Sequence, residues 1–396
     1  MSRMLEILLF AVGLIVFFSA IWIVVPAPAT ALWLLAVAAS EWSMWIAILA
    51  LSSIVPTLFP LVFRHGGKLI TISLIVASVA LLISLYPLVS TFSVARANNV
   101  DLSLTRYFAG VKTLFLTTET LPAETHTFAK IDGQELKLDV YLPTRATANN
   151  GASVVVVHGG SWSGGVRSDF PQWNHRLSEM GFTVFDIDYR LGPQPNYLTA
   201  VGDVKCAVAW VQQHAGEFNI SPGRLAVMGR SAGAHLALLA SYSSGDARLP
   251  SSCPEAGTGE NIRAVVSIYA PVALLWAYDN PANELVINGK QILADFLGGD
   301  PHSSDEMLQR YIVASPTSHV NTETPPTLLI HGGHDQLVRA ENLQFVDQKL
   351  TDAGVEHRAL FIPYAQHGYD YNINGWGSQI TEKVMLKFLI TNTKAK

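Results

Sequence analysis

Apolar positions change their spacing near residue 96 of this 396-residue chain, and the change divides it into two parts of different chemistry. Over residues 1–95 the charged side chains are Arg3, Glu6, Glu41, Arg64 and Lys68, and apolar runs extend for twenty residues or more. Such runs suit hydrocarbon. The pattern predicts three membrane helices, over about 5–25, 42–63 and 69–94. Pro26 and Pro28 follow the first, Pro56 kinks the second, and Pro87 kinks the third or ends it at Tyr86. Residues 29–40 are left as a short interfacial segment. Arg3 precedes the first span, and Arg64, His65 and Lys68 separate the second from the third. Positive residues favour the cytoplasm, so three spans set everything after residue 95 outside, in a multi-pass protein of the plasma (inner) membrane. A two-span or four-span chain would place it in the cytosol. Ala27, Ala29 and Ala31 also resemble a signal-peptide cleavage site, but two further apolar spans would still hold the chain in a membrane.

Residues 96–124 form a linker with amphipathic character over Leu102–Leu116. From about 125 onward, short apolar runs alternate with longer helical patterns. Strands are expected at 125–131, 135–142, 153–157, 182–187, 224–228, 263–268, 326–330 and 357–362. Helices are expected at 172–180, 199–216, 231–243, 338–353 and 376–392. Such alternation predicts an α/β architecture, a mostly parallel sheet with helices on both faces and ligands at the carboxyl ends of the strands.

Candidate chemistry collects at those ends. Gly229-Arg230-Ser231-Ala232-Gly233 follows the apolar run 224–228 and opens an apolar helix. A serine on so tight a turn is an exposed nucleophile, and the flanking positions must be small. Alone, the pattern is weak among 29 glycines. Upstream, 153–157 ends in His158-Gly159-Gly160-Ser161-Trp162, where a glycine pair leaves backbone N–H groups free to meet a developing oxyanion. Gly159, Gly160 and Ala232 are the candidate donors. Downstream, 326–330 leads to His331-Gly332-Gly333-His334-Asp335, and 357–362 leads to His367. Glu341 is the alternative acid. His235 and His357 read as structural, and His158 as a residue holding the oxyanion loop. A metal site at His331–Asp335 would need further ligands, and none is close in sequence.

The order Ser231, Asp335, His367 resembles that of α/β-hydrolases. Over 125–396 the chain is similar to their esterase/lipase branch, with hormone-sensitive-lipase-like and feruloyl-esterase-like (BD-FAE) members. His-Gly-Gly-Ser-Trp at 158–162 is closer to the H-G-G-x-W of BD-FAE proteins, arylformamidases and isoprenylcysteine methylesterases than to the H-G-G-G of lipases. Residues 138–143, 188–191 and 229–235 point the same way. The resemblance implies ester cleavage by a Ser-His-Asp triad through an acyl-enzyme, with no metal or organic cofactor. It also implies that Pro271–His319, too long for a plain connection, shapes the pocket. Trp162, Trp276 and Tyr278 are the candidate pocket residues. Acyl transfer, arylformamidase or amidase chemistry would use the same triad, and a triad-dead binding module is the non-enzymatic alternative.

A net charge of −5 without a basic patch argues against nucleic acid as a partner, leaving a small-molecule or lipid ester and the bilayer. Cys206 and Cys253, the only cysteines, neither require nor exclude a disulfide, although adjacent helices could bring them together.

Overall fold

The computed structural model describes residues 3–62, 67–115, 121–143, 150–257 and 261–395. Arg64 and His65, of the expected cytoplasmic loop, lie outside them. The N-terminal helices are α1 (Arg3–Ile21), α2 (Thr30–Glu41), α3 (Ser43–Val62), α4 (Lys68–Ala97) and α5 (Leu104–Phe115). By length and composition, α1 and α4 can each cross a membrane. Helices α2 and α3 pass that test together, but the pair is bent by 83° at Trp42. Small residues let α1, α3 and α4 approach closely: Ala20, Ala50 and Ala80 are buried where the three meet. Their outer faces expose large apolar side chains, among them Ile15, Val55 and Leu82.

Helix α4 does not stop at Tyr86. It continues through the buried Pro87 for 30 residues in all. Pro87 removes one N–H from the helical ladder, and packing of the last turns on the rest of the protein compensates. Ala95 is buried there, with Tyr86, Leu88 and Val94 packed around the same core.

The remainder is an eight-stranded sheet: β1 (Glu124–Ile131), β2 (Gln134–Tyr141), β3 (Ser153–Val157), β4 (Thr183–Ile187), β5 (Leu225–Arg230), β6 (Ala264–Ile268), β7 (Thr327–Gly332) and β8 (His357–Ile362). Their spatial order is β1-β2-β4-β3-β5-β6-β7-β8. Only the β1–β2 and β2–β4 pairings are antiparallel among the described strands. The other helices are α6 (Pro171–Glu179), α7 (Tyr197–Gln213), α8 (Ala232–Tyr242), α9 (Leu274–Asp279), α10 (Gly289–Leu297), α11 (Asp305–Val313), α12 (Glu341–Asp352) and α13 (Trp376–Asn392). Strand β3 explains why the central strands read as continuous apolar runs. Val155 and Val157 enter one core, Val154 and Val156 the other, and helices cover both faces.

Cys206, in α7, is disulfide-bonded to Cys253, in the loop after α8. The bond closes a sequence separation of 47 residues, so chain-entropy reasoning gives it about 4 kcal/mol of stability. Replacing both cysteines by Ala should lower the unfolding midpoint accordingly in oxidised protein. A reductant should reproduce that loss in the native chain and leave the double variant unaffected.

Candidate active site

Strand register brings the four motifs to one edge. Val157 pairs with Gly229, Arg230 with Ile268, Ile268 with Ile330, and Gly332 with Ile362. Residues 158–160, 231, 333–335 and 363–367 therefore leave the sheet at the same level. Ser231 takes φ +53°, ψ −123° between β5 and α8, and its N–H donates to Ile268 O at 3.0 Å. The turn needs both flanking glycines. A methyl on Gly229 would strike the Gly233 carbonyl, and one on Gly233 would strike the Val157 and His158 carbonyls.

His367 bridges the other two candidates. Its Nε2 lies 2.9 Å from Ser231 Oγ and its Nδ1 lies 2.7 Å from Asp335 Oδ2. The other carboxylate oxygen of Asp335 accepts from the N–H groups of Leu337 and Val338, both at 2.9 Å. Burial pushes the Asp335 carboxyl up, but His367 and His331 outweigh it and hold the group well below the usual carboxylate range. Glu341 is elsewhere, paired with Arg339 at 2.6 Å. Among the described residues no three His, Cys, Asp or Glu side chains converge as metal ligands, at His331–Asp335 or elsewhere.

A methyl on Gly159 would crowd the Arg230 carbonyl and Ser231 Cβ, and Gly160 has φ +118°. Ser161 and Trp162 continue the left-handed turn at φ +54° and +58°. Ala232 follows Ser231 along the wall of an apolar cleft that also contains Ser161, Trp162, Trp276 and His367. Trp162 stacks on Phe296 with centroids 4.2 Å apart and donates to His235 Nδ1 at 3.1 Å. Trp276 meets Phe345 edge-on and lies under the Arg339 guanidinium. Tyr278 is not brought to the cleft. Two positions along α9 turn the side chain by about 200°, and Tyr278 packs on Tyr311 instead.

His235 has the structural setting expected of it. Burial pushes its imidazole down to about 4, against which its hydrogen bond to Ala314 O acts only in part. A histidine depressed in the folded state stabilises fully above its unfolded pKa of about 6.5, and the contribution disappears as pH falls through 4. The two values give about 3 kcal/mol. His235→Leu should remove that part of the acid-side slope in stability, read from urea midpoints between pH 4 and pH 7.

Two further features escaped the sequence. Arg230, inside the serine motif, is buried and donates to Asp370 at 2.6 Å, and Asp370 also accepts from Tyr269, whose ring lies 4.4 Å from that of His367. Gln336 and Gln366, each next to a member of the array, are joined at 3.1 Å. The run 281–289, inside the stretch that the resemblance implied would shape the pocket, contributes Pro281, Ala282, Ile287 and Gly289 to the cleft wall. For the two missed features, only the serine motif carried a signal, in the unusual placing of an arginine at the end of a buried strand.

A parallel sheet with a strand-to-helix serine at its carboxyl edge defines the α/β-hydrolase fold. The BD-FAE family model matches residues 138–350, and the chain belongs to that family. Among curated proteins it is similar to the probable carboxylic ester hydrolase LipM of Mycobacterium tuberculosis, 30% identical over 54% of this chain and 48% of that one. It is also similar to esterase LipQ of the same organism, 29% identical over 60% and 55%. The chain thus spans about half the length of the curated relatives it matches. Among solved structures, Thermogutta terrifontis esterase 2 phosphonylated by sarin superposes with TM-score 0.56 at 25% identity, over 69% of this chain and 96% of that one.

Proposed function

We propose that this protein is a membrane-anchored serine hydrolase that cleaves carboxylic esters. The observation that carries the reading is the bridge from Ser231 through His367 to Asp335 at an apolar cleft. The esterase names of LipM and LipQ support it. So does the sarin adduct of the Thermogutta enzyme, since organophosphorus agents report an activated nucleophile.

In the proposed cycle, His367 Nε2 takes the proton of Ser231 Oγ as the oxygen attacks the ester carbonyl. Backbone N–H groups at Gly159, Gly160 and Ala232 receive the oxyanion. The alkoxide leaves with the proton from His367. Water, deprotonated by the same imidazole, then releases the acid from Ser231. Asp335 fixes the Nδ1–H tautomer and stabilises the imidazolium.

The anchoring rests on α1, α3 and α4, which pack side by side with apolar outer faces. Arg3 and Lys68 stand at one end of this bundle. The catalytic domain, from about residue 125, contacts the other end through Ile23 and Asn98. Three crossings therefore set the domain opposite Arg3, on the non-cytoplasmic side by the charge rule, where the Cys206–Cys253 bond would persist. The test is a fluorophosphonate probe on detergent-solubilised full-length protein, with nitrophenyl butyrate as substrate. Labelling mapped to Ser231 by peptide mass, together with turnover, is expected. Folded protein that neither labels nor turns over the ester would refute the reading.

A further inference from the structure

We propose that the ester is an uncharged acyl lipid of the acylglycerol class, and that it reaches Ser231 directly from the surface of the bilayer. This rests on the membrane-anchored esterase reading and adds to it a substrate class and a route. The run 281–289, of which Pro281, Ala282, Ile287 and Gly289 wall the cleft and Leu285 does not, is mounted on the turn between α1 and α2. Asn283 Nδ2 donates to Ala27 O at 2.6 Å, and Thr30 Oγ1 donates to Val286 O at 2.8 Å. The same turn touches the loop that carries Asp335. Ala27 N–H donates to Gln336 Oε1 at 2.7 Å, and His334 Nδ1 donates to Ile23 O at 2.8 Å. The end of a spanning helix and the wall of the cleft are thus one hydrogen-bonded assembly.

Helix α2 sets the direction of approach. Its 83° bend from α3 lays it across the end of the bundle, along the plane in which lipid headgroups would lie. Side chains at this junction are apolar although exposed: Leu285 at 70%, Leu34 at 58%, Val25 at 41% and Val24 at 40%. A rim that handed soluble esters to the cleft would gain nothing from them. A rim in contact with acyl chains buries them.

Charge selects the class of lipid. Residues 22–40 carry no charged side chain, and 281–289 carries only Glu284. Arg339, which lines the cleft, is paired with Glu341. Lys290, the next residue along, lies over the ring of Tyr278, which is outside the cleft. Among the described residues of this route no unpartnered cation faces an anionic headgroup, whereas an uncharged glycerolipid meets mainly apolar and amide groups. Hydrolysis by the cycle above consumes one water per ester and yields a fatty acid and the remaining glyceride alcohol.

The experiment uses the full chain reconstituted in phosphatidylcholine vesicles containing dioleoylglycerol, with nitrophenyl butyrate in water as the reference ester. Leu285→Asp alters an exposed side chain outside the triad, and Leu285→Phe restores apolar contact. Release of oleate by the native protein is expected. Leu285→Asp should reduce it roughly ten-fold, as a charge at a lipid-contacting position would, while butyrate turnover stays unchanged and Leu285→Phe keeps both activities. Butyrate turnover without oleate release overturns the proposal, as does a Leu285→Asp variant that affects neither ester or both equally. Absence of both activities together with absence of fluorophosphonate labelling overturns instead the esterase reading beneath it.

Discussion

Ser231→Ala should abolish ester turnover and leave the fold intact. The loss in kcat is expected on the order of 10⁵–10⁶-fold, the size seen when the nucleophile of such an array is removed. Stability should hardly change, because alanine meets the positive φ of residue 231 with the same Cβ as serine, and the turn is built by Gly229 and Gly233. The variant loses the 2.9 Å contact to His367, whose imidazole keeps Asp335 as its other partner. Nitrophenyl butyrate kinetics give the activity, and a thermal melt gives the fold. Activity within ten-fold of the native protein in a folded variant would remove Ser231 from the mechanism.

The second large effect belongs to Asp335→Asn, and it follows from which atoms the carboxylate serves. One oxygen accepts from the N–H groups of Leu337 and Val338, the other faces His367 Nδ1. An asparagine must keep its carbonyl oxygen on the two backbone donors, so its NH₂ is turned towards His367. The imidazole then presents a lone pair at Nδ1 and its proton at Nε2, towards Ser231, where a base is required. A fall of roughly 10⁴-fold in kcat is expected, with little change in KM. His331, which donates to Val338 O at 3.0 Å, holds the same loop and should keep the variant folded. A pH–rate profile is the sharper readout: the wrong tautomer depresses the whole curve, whereas a merely loosened loop would raise KM. A variant within about ten-fold of native kcat would shift the role of acid to another group.

The sheet was legible because most central strands are short apolar runs that stop at glycine or at a polar residue. Residues 153–157 and 326–330 could be read as nothing else, and strands β3 and β7 occupy those places. The three candidates of the array were legible because register, which sequence order implies in a parallel sheet, carries strand ends to one edge. Other features depend on contacts between segments far apart in the chain. Helices α9, α10 and α11 lie inside the stretch expected to shape the pocket but read without elements of its own, since helices of six to nine residues leave a weak period. Trp276 and Tyr278 looked equivalent in sequence, and only the phase of a six-residue helix separates them. Arg230 and Asp370 are 140 residues apart, and no local pattern couples them. Pro87 has the reverse lesson: a residue that normally ends a helix is absorbed where the following turns are packed.

Helix α5 follows α4 and packs on both the bundle and the enzyme. Tyr107 of α5 is fully buried, stacks on Trp376 at 4.3 Å and donates to Glu41 O, while Arg106 pairs with Glu382 at 2.6 Å. With α1, α3 and α4 in a bilayer, the catalytic domain would be held in one attitude rather than swinging through a volume of solvent. Its chemistry would then be two-dimensional. Rates would follow the mole fraction of substrate in its own leaflet, and dilution of the surrounding water would leave them untouched.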